Sequence, residues 1–157
     1  MGTLYAIILP LHSIVRWLVL ITALFAIIRA VTGMRFNRPW ESMDDKAGLW
    51  FTISMDTQVL LGLILYFFLS PITQNMLRNM GGAMSDPTAR YFGVEHAVMM
   101  LIALALAHVG RARARKAKER LNKHRTALIF YVLALAVTLA AIPWPFLAVG
   151  RSLFPFL

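Results

Sequence analysis

No cysteine occurs in this chain of 157 residues. Disulfides, thiolate metal centres and cysteine nucleophiles are therefore excluded. Charge is sparse: Asp, Glu, Lys and Arg make up 15% of residues, against 59% hydrophobic ones. A soluble domain of this size has too little interior to hide so much apolar surface. The apolar segments also lack the strict alternation that marks a barrel strand. Enzyme signatures are missing too: there is no nucleotide-binding glycine loop, no metalloprotease histidine pair and no nucleophile elbow. The sequence thus leaves open whether the chain has any catalytic activity. No fixed-period repeat or low-complexity tract divides it, so residues 1–157 read as one domain.

What the chain does have is four long apolar runs, roughly 4–31, 49–69, 91–109 and 126–149. Each suffices to cross a hydrocarbon core, which takes about 20 helical residues at about 1.5 Å rise apiece. The expected fold is all-α, an integral membrane four-helix up-down bundle. The first run reads as a retained span: it lacks a basic leading region, exceeds the length of a cleaved signal and ends in no small-x-small site.

The net charge of +9 is concentrated in "RARARKAKERLNKHR", between the third and fourth runs. Without aromatic interleaving or a recognisable binding module, this does not read as a nucleic-acid surface. It reads as a cytoplasmic loop, since Lys and Arg between spans favour the inner side, where they also attract anionic headgroups of the lipid bilayer. Four spans then place both termini outside and the first and third loops in the cytoplasm of a bacterial inner membrane. The first loop agrees, with Arg29, Arg35, Arg38 and Lys46. The outer loop, "SPITQNMLRNMGGAMSDPTAR", carries turn signals around a short amphipathic segment.

Ionisable side chains inside a span cost about 2.5–3.5 kcal/mol each and usually face the bundle or water. Here they are His12, Arg16, Asp56, Glu95 and His96, joined by the polar Gln58. His12 and His96 begin stripes of small residues (Ala23, Ala26, Ala30 and Gly33 on the first span; Ala103, Ala107 and Gly110 on the third). Such stripes let helices approach closely. Both histidines fall near the outer end of their spans and so at similar depth. One reading makes them ordinary polar groups, His12 bonding at the headgroup level and His96 capping its helix. Another has them grip one flat metallated ring, with nitrogens about 4 Å apart around a central atom. Arg16 and Trp144 would then serve the ring's carboxylates, and a single imidazole would suffice for the magnesium of a chlorophyll. His108 and His124 form no second pair by depth or phase.

Asp56 falls near the middle of span two, with Gln58 pointing elsewhere. Its best partner by depth is Arg16 if the first helix starts near Leu4. If it starts near Pro10, Arg16 is shallower and pairs with Glu95. Functional roles for Asp56 are proton relay or quinone binding; its structural role is interhelical hydrogen bonding. At the end of span four, "AIPWPFL" breaks the helix and sets Trp144 at the interface.

The segments "LHSIVRW", "TQVLLGLILYF", "RYFGVEHAVMMLIALALAHVGR", "KHRTALIFYVLAL" and "IPWPF" resemble a family of small bacterial four-span membrane proteins described as cytochrome b-like. The combination HSxxRW, EHxxMM and IPWP carries the likeness over most of the chain. In span two the chain departs from that pattern, with Asp56 at a position that is often histidine. The resemblance implies a haem b held by His12 and His96, and electron transfer near the outer face. Quinone or a larger redox complex would be the partner. The alternative is a non-catalytic accessory subunit of a respiratory or photosynthetic complex. Transport is less expected, since no inverted repeat or broken mid-span helix is evident.

Overall fold

The structure, a computed structural model, describes residues 2–154. Within them the fold is all-helical. Four helices are long and apolar enough to cross a membrane: α1 (Gly2–Arg35), α2 (Ser42–Leu69), α5 (Pro87–Lys116) and α6 (Arg120–Ala141). Two short ones, α3 (Pro71–Arg78) and α4 (Met80–Ser85), lie between α2 and α5. Each long helix packs on its neighbours in the chain, and α6 closes the ring onto α1.

The small-residue stripes form the seams. Ala23, Ala26 and Ala30 of α1, Ala103, Ala107 and Ala114 of α5, and Ala127, Ala134 and Ala141 of α6 are buried. Larger side chains fill the middle, where Phe51 of α2 meets Tyr131 of α6 edge to face with ring centres 5.5 Å apart. Bulky Leu and Ile side chains point the other way, with Ile21 63% and Leu60 59% exposed. The bundle is thus apolar on its outside and small-residue-packed inside, the reverse of a soluble bundle.

All four long helices run further at the basic end than their apolar runs suggest. There the first and third loops meet. Arg29 holds Asp44 and Glu41 at 2.8 Å each, and Asp45 pairs with Arg111 and Arg115 at 3.5 and 3.2 Å. His124 is buried beneath, its Nε2 bonded to the Arg38 carbonyl at 3.2 Å and its ring against Trp40 and Gly33.

The opposite end is built by caps and wide turns. Ser70, Asn79 and Asp86 cap the N-termini of α3, α4 and α5, and Pro71 and Pro87 occupy the first turns, where a missing N–H costs nothing. The last turn of α2 (Leu65–Leu69) and the second turn of α5 (Tyr91–Glu95) are π-helical. The Tyr66 hydroxyl joins them, donating to the Gly93 carbonyl at 2.8 Å. Helix α6 ends at Ala141, well before residue 149. Pro143 holds Ile142 in extended backbone, and the chain turns back along the end of the bundle. This return is tied down where the Arg151 amide reaches the Pro143 carbonyl at 3.0 Å and where Arg16 and Trp17 of α1 donate to the Leu153 carbonyl.

Candidate functional site

A cavity of about 490 Å³ opens inside the end formed by the π turns. His12 and Arg16 of α1, Gln58 and Gly62 of α2, and His96 of α5 line it, with Arg151 of the returning C-terminal segment. The remainder of its wall is largely apolar, including Leu9, Val59, Leu65, Phe92, Met100 and Ile142.

His12 and His96 are brought together with ring centres 6.4 Å apart and planes inclined at 66°. The surroundings decide the protonation of His96. Helix α6 ends with an unpaired carbonyl at Ala141, as every helix must, and the following Ile142–Pro143 cannot cover it. That carbonyl accepts from the Tyr91 hydroxyl at 2.9 Å and from Nδ1 of His96 at 2.7 Å. A carbonyl only accepts, so His96 carries its proton on Nδ1 and keeps a lone pair on Nε2. His12 is held differently: the Gln58 side-chain nitrogen, 3.1 Å away, can only donate, so Nε2 of His12 accepts and its Nδ1 carries the proton. Gly62 makes room for that ring: a Cβ there would come within 3.3 Å of it.

Three buried polar atoms have no partner here: Nδ1 of His12, Nε of Arg16 and Oε1 of Gln58. Buried polar groups are ordinarily paired, and each orphan costs about 1–3 kcal/mol. Three such atoms on residues lining one cavity leave hydrogen-bonding positions open to a ligand.

The donor set limits what that ligand is. Among the described residues no three His, Asp or Glu side chains converge on a point, so a bare ion would lack its usual complement of protein ligands. Two imidazoles suffice for a metal that arrives with its own equatorial ring. Imidazoles bound in line to one metal have ring centres about 6 Å apart, from two bonds of about 2 Å and a ring radius of about 1 Å on each side. The observed separation fits. Backing of His96 by a carbonyl is also the usual outer-shell partner of a metal-bound imidazole. Arg16 and Arg151, which line the same cavity, could offset acidic substituents of such a ring.

The other polar residues named from the sequence go elsewhere. Asp56 does not meet Arg16: its Oδ1 lies 2.7 Å from Nε2 of His108, and both side chains are half exposed on the outside of the bundle. Glu95 does not meet Arg16 either, but pairs with Arg90 at 2.9 Å. Trp144 lies outside the cavity, donating to the Leu139 carbonyl at 2.9 Å and stacking on Phe146. Arg151 lines the cavity in its stead. Gln58 had a legible signal, since Phe51, Met55, Gln58, Gly62 and Leu65 repeat at helical spacing and are opposite in phase to Asp56. Arg151 had none, because its position depends on the turn at Pro143. Compared with protein-family models, curated proteins and solved structures, the chain matches none.

Proposed function

We propose that this is an integral membrane b-type cytochrome-like protein that transfers electrons near the outer face of a bacterial membrane. The observation that carries the reading is the pair of imidazoles 6.4 Å apart in a largely apolar cavity with three unpartnered polar atoms. The likeness of the HSxxRW and EHxxMM motifs to cytochrome b-like proteins supports it, since His12 and His96 stand in those motifs.

His12 and His96 would hold haem b from its two faces. When bound, the haem supplies one-electron exchange at an iron whose potential the protein tunes. The chain's own residues do the rest. The Ala141 carbonyl fixes the His96 ring and raises its basicity; Gln58 would do the same for His12 by turning its amide so that Oε1 accepts from Nε2–H, which leaves Nδ1 of His12 free to bind. Arg16 and Arg151 offset the haem carboxylates, and the apolar wall keeps water from the ring. With His12 and His96 both engaged, the haem would have no position left for a substrate, so its role would be electron transfer, with a membrane quinone or another redox protein as partner. The four apolar helices cross the membrane with the basic loops of residues 29–46 and 111–125 in the cytoplasm, which positive-inside orientation favours. Both termini and the haem-holding end then face outward.

The test is spectroscopic. Protein expressed with ample haem and purified from alkali-washed membranes is expected to show Soret and α bands in reduced-minus-oxidised spectra. Their absence would remove the haem reading, and recovery of the chain in the alkaline wash would remove the membrane reading. Gln58→Leu takes away the hydrogen bond that orients His12. Loss of such an outer-shell partner typically weakens binding about 10–100-fold, so faster haem transfer to an apoprotein acceptor is expected for this variant.

A further inference from the structure

Asp56 and His108 are the unusual residues of the outer surface. They lie in the apolar parts of α2 and α5, with Oδ1 and Nε2 2.7 Å apart and side chains 50% and 49% exposed. Eight residues, about 12 Å of helix, separate Asp56 from Gly48, which lies beside Arg111 at the basic end. Around the pair the surface is apolar: Ile53 and Leu60 of α2 and Leu101 of α5 are each at least half exposed. Another exposed pair on these helices, Arg90 with Glu95, lies in the first turns of α5 at its outer end. A carboxylate facing acyl chains is costly, and intramembrane ionisable groups are almost always found against protein or water.

The pair uses one side of each partner. Nδ1 of His108 and Oδ2 of Asp56 remain, an imidazole nitrogen and a carboxyl oxygen able to serve as one donor and one acceptor. A surface that offers one donor and one acceptor side by side is complementary to itself when rotated by two-fold symmetry. The local shape agrees. On α5 the exposed stripe runs Leu101, Ala105, His108, Ala112, so His108 is flanked by alanines one turn away on either side. Small residues there allow a second helix to approach closely.

We propose that two copies of this chain associate through the outer face of α2 and α5, about a two-fold axis along the membrane normal. His108 of each copy then donates through Nδ1 to Asp56 of the other. The four side chains close a ring of hydrogen bonds in which no polar atom of the four faces lipid. This inference rests on the proposed membrane insertion but not on the haem.

The natural absence of cysteine makes the test clean. In isolated membranes, mild oxidation of an Ala105→Cys variant is expected to give a disulfide-linked dimer. An Ile129→Cys variant, exposed on α6, is expected to stay monomeric. Adding Asp56→Leu and His108→Leu together to the Ala105→Cys variant removes the ring without leaving a lone charge. The crosslinked fraction should then fall about tenfold, as expected when interhelical hydrogen bonds are lost. Native mass spectrometry from nanodiscs should give twice the 17.7 kDa chain mass. Monomer mass, equal crosslinking on both faces, or a dimer unaffected by the double leucine substitution each overturns the proposal. So does a complex with a different protein on this face. Failure of membrane insertion shows separately as release by alkali, and absence of haem leaves the outcome unchanged.

Discussion

Leucine in place of His96 is expected to abolish haem absorbance in the purified protein, the largest functional effect of any single substitution. The reason lies in how the imidazole is held. Its Nδ1 proton is committed to the Ala141 carbonyl at 2.7 Å, which leaves Nε2 unprotonated and ready to bind a metal. Leucine offers no lone pair and fills the space beside His12. His12→Leu should lower haem content less completely, because His96 keeps its backing and still offers one axial ligand. Residual haem in that variant should show the altered band positions of a changed axial set. His108→Leu is the control, since it removes a histidine of the same helix that points to the outer surface, and it should retain full haem content. Pyridine haemochrome assay against protein concentration measures all three. Haem retained in His96→Leu but lost in His108→Leu would transfer the site to the other end of α5.

Much of the bundle was legible because its packing is written in small residues. Alanine at positions 23, 26, 30, 103 and 107 fixes which sides of α1 and α5 face inward, and those residues are buried. Depth was legible too: His12 and His96 each start such a stripe near the same end, and they meet. Ion-pair partners were less so, because pairing depends on a few ångströms of helix offset that composition does not set. Arg16 illustrates this. Its guanidinium reaches the Leu153 carbonyl, on a segment that turns back only because Pro143 ends α6. Asp56 and His108 illustrate the opposite problem. Helical side chains lean toward the N-terminus, so on antiparallel helices they lean toward each other and bridge an offset that residue counting makes too large. The π turns at Leu65–Leu69 and Tyr91–Glu95 left no mark in the hydropathy pattern, though Gly93, which accommodates the Met76 side chain, sits within one.

Gly110→Val is expected to have the largest effect on stability, and the reason is which atom stands in the way. A Cβ at Gly110 would come 2.3 Å from Cβ of Phe130 on α6. A side-chain tip could swing aside, but a Cβ is fixed to its backbone, so α5 and α6 must separate by about 1 Å to reach ordinary contact. Overpacking of this kind costs about 1–3 kcal/mol, and valine adds methyl groups to the same clash. Gly33→Ala meets the buried ring of His124 at 2.2 Å, but a ring can tilt, so the effect should be smaller. At Gly81 a Cβ meets nothing within 4 Å, and alanine there should hold or slightly raise stability because it favours helix by up to about 1 kcal/mol. Thermal unfolding in one detergent should therefore rank Gly81→Ala at or above the parent, then Gly33→Ala, then Gly110→Val. An unchanged melting point for Gly110→Val would mean that the α5–α6 seam is looser than this packing. The same variant also tests how the seam supports the site. Ala141, whose carbonyl holds His96, and His96 share this α5–α6 seam about 21 Å of helix from Gly110, so a rigid-body separation of the two helices is what would disturb that bond. Haem content should fall together with the melting point in Gly110→Val, while Gly81→Ala should lower neither.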